Sequence, residues 1–145
     1  MMVTATCVRK TIISDFSPTT MGAAILHARE RVALCGLPVL EEVYRQVDPL
    51  VDVEPLADDG DIVESGAPIA ALTGPAVSIL LGERVALNFM QRLTGVSTMT
   101  RRFVDALPAG SATRIADTRK TTPGLRALER YAVRCGGGFN HRADL

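Results

Sequence analysis

The sequence predicts an α/β fold, and three observations carry that expectation. Apolar and polar residues alternate with period two over 51–56, with further strand material to 73; apolar residues recur at helical spacing in 37–47 and again in 77–107; and a strand-like segment near the C-terminus runs straight into a charged loop and a further helix. With 145 residues, 47% of them hydrophobic, the chain has the size of one ordinary domain and can bury a core. No apolar run approaches the roughly 18 uncharged residues that cross a bilayer, and the N-terminus lacks the charged, apolar and small-residue succession of a signal peptide. A cytoplasmic location without a membrane partner is therefore expected. Cys7, Cys35 and Cys135 are far apart and in no metal-ligand spacing, which predicts reduced packing thiols and no metal site.

In order along the chain, Thr11-Ile12-Ile13 reads as a short strand and residues 14–20 as turn material. Short apolar runs between 23 and 36 predict one or two strands ending at Gly36. Residues 37–47 place Pro38 in a first turn and apolar side chains at 39, 40, 43, 44 and 47, which predicts an amphipathic helix. Residues 51–56 alternate as a strand, and Asp58-Asp59-Gly60-Asp61 carries the Asp-Gly signature of a tight hairpin leading to Ile62-Val63. A second turn at Ser65-Gly66 precedes strand material over 68–73. This stretch resembles hairpins of biotinyl- and lipoyl-carrier domains, but such carriers need an acceptor lysine at the tip. The only lysines are Lys10 and Lys120, which excludes the role.

Residues 77–107 predict helix with a break at Thr94-Gly95, its buried stripe formed by Val77, Leu80, Leu81, Leu87, Leu93, Phe103, Val104 and Leu107. Arg84, on its polar side, reads by itself as a solvated charge. Thr113-Arg114-Ile115-Ala116 predicts a short strand, and Thr121 or Thr122 a helix cap, with Pro123 in the first turn and a buried stripe at Leu125, Leu128, Ala132 and Cys135. The glycines from Gly136 stop that helix.

The balanced charge conceals an asymmetry. Residues 1–83 carry 5 basic and 12 acidic side chains and residues 84–145 carry 11 and 4, so the halves stand near −7 and +7. Ten of those eleven cations are arginines, whose planar, forked donors suit carboxylate and phosphate edges. Sparse aromatics in no stacking pattern argue against a nucleic-acid partner. The cations concentrate in two loops: Asp117-Thr118-Arg119-Lys120-Thr121-Thr122-Pro123-Gly124, after the predicted strand, and Gly136-Gly137-Gly138-Phe139-Asn140-His141-Arg142. In α/β architectures the loops after parallel strands are where ligands bind, so a small, multiply anionic ligand is expected there. His27, in a strand-like run, is expected to be structural. No nucleophile constellation, Walker loop or dinucleotide fingerprint is present.

The two loops, together with Gly82-Glu83-Arg84-Val85-Ala86-Leu87-Asn88-Phe89-Met90-Gln91-Arg92-Leu93-Thr94-Gly95-Val96-Ser97-Thr98, resemble the quinolinate phosphoribosyltransferases, or carboxylating nicotinate-nucleotide pyrophosphorylases. The resemblance extends from about residue 22 to the end. Family members join quinolinate to phosphoribosyl pyrophosphate with Mg²⁺ and release pyrophosphate and CO₂, giving nicotinate mononucleotide for NAD synthesis. The resemblance implies an N-terminal α/β sandwich over 1–95, then over 96–145 the first strand-helix portion of an incomplete α/β barrel. It also implies a dicarboxylate pocket lined by Thr118, Arg119, Lys120, His141 and Arg142, with Lys120 catalytic, and completed by Arg84 from the other subunit of a homodimer or larger homo-oligomer.

A whole barrel needs upward of about 200 residues. The resemblance therefore implies that the family's further cationic lysine, its acidic residues serving Mg²⁺ and ribose, and its phosphate-binding loops fall outside this chain, which reads as a C-terminally truncated piece, inactive alone. Two alternatives stand beside this expectation: a related phosphoribosyltransferase acting on another substrate, such as the molybdenum-cluster paralogue, and a non-catalytic dimerisation or binding remnant.

Overall fold

The computed structural model of the chain describes residues 3–6, in backbone only, and residues 20–141. The strand expected at 11–13, most of the turn after it, Cys7, Lys10 and Arg142 lie outside the described residues. A four-stranded antiparallel sheet, in the order β1-β2-β6-β4, is built from β1 (Val3–Thr6), β2 (Met21–Ala28), β6 (Pro68–Pro75) and β4 (Asp52–Pro55). A second pairing joins β3 (Val32–Ala33) to β5 (Ile62–Val63). Three helices complete the described elements: α1 (Leu37–Val47), α2 (Ala76–Asp105) and α3 (Arg126–Cys135). Period-two alternation buries Ala24, Leu26 and Ala28 of β2, which share a core with Ile69, Ala70 and Leu72 of β6, Leu37, Leu40 and Tyr44 of α1, and Ile79, Ala86 and Met90 of α2. Tyr44 is fully enclosed, and its hydroxyl donates to Ile79 O at 3.0 Å.

Strands over 23–36 and the helix over 37–47 stand where the sequence places them. The Asp-Gly turn does not make a hairpin. β4 pairs with β6 and β5 with β3, so residues 56–61 pass the chain from one sheet to the other. Local turn chemistry fixes a reversal of direction; the partner is chosen by burial elsewhere. The Ser65-Gly66 turn likewise separates strands of different sheets, and Gly66 N–H donates to Ala28 O. His27 is structural, its Nδ1 3.1 Å from Gly66 O.

α2 is one unbroken helix of 30 residues, without the break expected at Thr94-Gly95. A mid-helix glycine costs about 1 kcal/mol relative to alanine, an amount that tertiary packing outweighs. The packing here is polar. Thr94 Oγ1 accepts from Cys35 N–H at 3.2 Å and donates to Cys35 O at 3.0 Å, while Thr98 Oγ1 accepts from Ala33 N–H at 3.0 Å and lies 3.4 Å from Ala33 O. The intervening residue faces the other way, with Leu34 N–H donating to Asp61 O and Gly60 N–H donating to Leu34 O. Segment 32–35 is thus a strand with protein backbone along one edge and threonine hydroxyls, one helical turn apart, along the other.

The expected apolar stripe of α2 is also corrected. Its buried positions are Ala76, Ile79, Gly82, Ala86, Met90 and Leu93, whereas Leu80, Leu81, Val85, Met99 and Phe103 are exposed. The helix carries two apolar faces, and among the described residues only one of them meets the core.

Candidate functional site

The segment expected as a strand at 113–116 forms only a single parallel bridge, Ala116 to Phe139, among the described residues. That bridge organises the cationic region. Asp117 N–H donates to Phe139 O at 3.0 Å and Phe139 N–H to Ile115 O at 2.9 Å, so the chain entering the first loop lies beside the chain leaving α3. The Arg114 guanidinium stacks on the Phe139 ring at 4.1 Å.

Asp117 fastens the two loops. Its Oδ1 accepts from His141 N–H at 2.9 Å and its Oδ2 from Arg130 Nε at 3.0 Å, in an ion pair whose side chains are 10% and 20% exposed. The Asn140 amide, with its nitrogen turned toward these acceptors, donates to Asp117 Oδ2 and to Arg130 O. Charge-assisted bonds in a half-buried setting hold geometry better than surface pairs do. Thr118, Arg119 and Lys120 follow Asp117 on an exposed turn in which Lys120 N–H donates to Thr118 Oγ1 at 3.2 Å. Among the described residues, no hydrogen bond or ion pair engages the side chains of Arg119, Lys120 or His141. Their cationic and polar ends are open to a ligand.

α3 begins later than the sequence predicts. Thr122, Pro123 and Gly124 form a turn closed by Leu125 N–H to Thr122 O, and the helix starts at Arg126 with no side-chain cap on Leu125. Glu129 supplies the missing anchor. Its carboxylate accepts from Thr122 Oγ1 at 2.7 Å, Thr122 N–H at 3.2 Å, and Arg92 Nη2 and Nε at 2.6 and 3.1 Å, while Arg92 Nη2 also donates to Thr122 Oγ1 at 2.7 Å. Burial by itself raises the Glu129 pKa, but the bonds from Arg92 and Thr122 outweigh it and hold the carboxyl below its ordinary range. Glu129 is buried, and Leu128 and Cys135 of the expected stripe are only partly buried.

The helix ends at Gly136 as expected. Gly136 and Gly138 also bring backbone close to protein. A Cβ on Gly136 would overlap Ser97 O of α2 and lie 2.6 Å from Thr100 Cβ, and one on Gly138 would come within 2.7 Å of Val133 Cγ1 and 2.9 Å of Thr100 Cγ2.

Arg84 stands exposed on α2, among Leu80, Leu81 and Val85 of the exposed apolar face, and no hydrogen bond or ion pair holds it among the described residues. The sequence did not single out Asp117, Arg130, Arg92 or Glu129 as positioning groups. Their partners, His141 and Arg130 for Asp117 and Thr122 and Arg92 for Glu129, are brought together only by the fold.

Mg²⁺ needs open oxygen ligands. The two carboxylates beside the loop do not provide them, since Asp117 and Glu129 are committed to Arg130, His141, Arg92 and Thr122. As placed, these two carboxylates do not fit that ion.

Residues 3–94 match the family model for the quinolinate phosphoribosyl transferase N-terminal domain, and residues 96–145 match that for its C-terminal domain. The chain is 48% identical over 132 residues to the probable carboxylating nicotinate-nucleotide pyrophosphorylase of Bacillus subtilis, a match covering 91% of this chain and 45% of that protein. Its Synechocystis counterpart is 42% identical over 134 residues, covering 88% of this chain and 45% of the relative. Among solved structures, NadC from Streptococcus pyogenes superposes with a TM-score of 0.83 at 40% identity over 94% of this chain and 49% of its own. The nicotinate-nucleotide pyrophosphorylase of Francisella tularensis gives 0.84 at 41% identity, covering 89% and 46%. The chain thus spans about half the length of the relatives it matches. With both family models matching in chain order, the chain belongs to the quinolinate phosphoribosyl transferase family.

Proposed function

We propose that this chain carries the quinolinate-binding part of a carboxylating nicotinate-nucleotide pyrophosphorylase, which joins quinolinate to phosphoribosyl pyrophosphate and releases pyrophosphate and CO₂. The observation that carries the reading is the clamp at Asp117, which binds the His141 backbone and the Arg130 side chain and so sets His141 beside the loop of Thr118, Arg119 and Lys120. Quinolinate bears carboxylates on adjacent ring carbons and needs convergent donors. Arg119 and Arg142 would take the carboxylates edge-on, and Thr118 and His141 would fix the ring. Lys120 is assigned the catalytic role, placing positive charge where negative charge develops as the ribosyl centre becomes cation-like. Arg84 would enter from a second copy in a homodimer or larger homo-oligomer. Mg²⁺ and the pyrophosphate would be held by groups other than those described here, so these 145 residues by themselves are expected to bind quinolinate without turning it over. The proposed compartment is the cytoplasm.

Calorimetric titration of the chain with quinolinate and with nicotinate tests this reading. Removing one carboxylate deletes a charge-assisted contact worth about 1.5–3 kcal/mol, so nicotinate should bind roughly 10- to 100-fold more weakly. Arg119→Ala should cost a similar factor, and Asp117→Ala, which removes no ligand contact, should weaken quinolinate by freeing the loop. Equal affinity for the two acids, or an unchanged Arg119→Ala, would refute the pocket. Nicotinate mononucleotide formation by the purified chain would refute the division of labour.

A further inference from the structure

Cys35 and Cys135 are a hundred residues apart in sequence and converge in the fold. Cys35 is fully buried, one residue ahead of the α1 N-terminus across Gly36, and Cys135 is the half-buried last residue of α3. Their sulfurs and a carboxylate oxygen of Asp59 all lie within 4.8 Å of one another. The isolated thiols expected from sequence are in fact a pair.

Two chemistries suit such a cluster: capture of a thiophilic metal, or a sulfur–sulfur bond. Asp59 favours the second. Its oxygens already accept Gly36 N–H at 2.9 Å, Leu37 N–H at 3.1 Å and Tyr131 Oη at 2.8 Å, so the carboxylate serves as the cap of α1 and is not an open ligand. Two sulfurs then remain, within 4.8 Å of each other and screened from water on the Cys35 side. A disulfide is uncharged and suits that setting, whereas a metal site would require two buried thiolates. Burial, followed by the nearby Cys135 and Asp59, raises the Cys35 pKa, so its thiol keeps its proton until it reacts.

We propose that Cys35 and Cys135 are a reversible oxidation site that closes to an intrachain disulfide and fastens the end of α3 to the segment before α1. The oxidant is a small-molecule disulfide. Cys135, the accessible partner, attacks one of its sulfurs and expels the first thiolate; Cys35 Sγ then attacks the Cys135 sulfur of the mixed disulfide and expels the second. The two protein thiols surrender two protons and two electrons, and the small disulfide becomes two thiols. Side-chain rotation and a small shift at the α3 terminus bring the sulfurs to the bond length of about 2.05 Å. Phe139, Asn140 and His141 follow Cys135 within six residues, so the bond restrains the segment that meets the Asp117 clamp.

The test is equilibration of the reduced full chain with oxidised glutathione, followed by acid quench, alkylation and peptide mapping, which distinguishes Cys7 from the other two. The expected product has lost two hydrogens, carries no glutathione and yields one cross-linked peptide containing Cys35 and Cys135. Its Tm should rise by on the order of 10 °C, because the closed loop is long. Cys35→Ala should stop at a glutathione adduct on Cys135. A stable adduct on Cys135 of the unmodified chain, a cross-link between two chains, or both thiols still alkylated at full oxidant would each overturn the proposal. So would Zn²⁺ alone protecting both thiols in a chain that glutathione disulfide does not cross-link.

Discussion

Glu129 binds three groups at once, Arg92 on α2 and both the hydroxyl and the backbone of Thr122 at the end of the cationic loop. A carboxylate in that position fixes where the loop ends and where α3 begins, because no other side chain caps the helix. Its folded pKa is lowered from 4.5. The stability it contributes is therefore fully present above the unfolded value and is lost as pH falls below about 4.5. Glu129→Gln should cost about 1–2 kcal/mol at pH 7 in urea denaturation. The gap to the parent should narrow steadily on acidification; a gap that stays constant from pH 7 to pH 3.5 would mean that the ionised carboxylate is not what matters. At this scale the sequence was informative about cations and nearly silent about carboxylates. Arg119, Lys120 and His141 stand out because they cluster on two loops, one of them after the predicted strand. Asp117 and Glu129 look like ordinary polar residues until their partners, up to 37 positions away, are known. Cys35 and Cys135 illustrate the same limit, since no spacing rule links residues brought together only by helix packing.

The elements follow a parallel logic. α1 was fully legible, since its proline, its apolar spacing and its buried Leu37, Leu40 and Tyr44 all derive from one local pattern. The hairpin at Asp59-Gly60 was not, because turn chemistry dictates a reversal while strand pairing depends on which edges are free. The break expected in α2 was misread for a local reason. A threonine followed by glycine is a local stop signal, but Thr94 is buried against Cys35, and the helix continues so that Thr98 can reach Ala33. Replacing Thr94 and Thr98 together by valine keeps the volume and removes four backbone contacts. Each orphaned buried group costs about 1–3 kcal/mol, so the double variant should lose several kcal/mol, each single change roughly half of that. A double variant as stable as the parent in chemical denaturation would show that β3 is held by β5 alone.

At the scale of the whole molecule, the second apolar face of α2 is the main unbalanced feature. Leu80 is 50% exposed, Leu81 69% and Val85 48%, and Phe103 continues the face one end further along at 58%. Isolated surface leucines are ordinary, but several on one helix, around an arginine with no partner among the described residues, are a contiguous patch of the kind that meets another protein surface. The exposed position of Arg84 is thus compatible with two different roles: a solvated charge if the chain is single, and a ligand-binding group if the face is covered by a second copy that brings its own loop alongside. Leu81→Glu combined with Val85→Glu places two charges in the patch and touches no buried residue, so the fold should persist while association is lost. Light scattering coupled to size exclusion should then show a parent chain larger than 15.5 kDa and a variant at that mass. If Arg84 serves a neighbouring copy, the same variant should also bind quinolinate more weakly, by about the factor that Arg84→Ala costs, and the two losses should not add. A monomeric parent with the same quinolinate affinity as the variant would return Arg84 to the solvated surface and confine the site to the loops joined by Asp117.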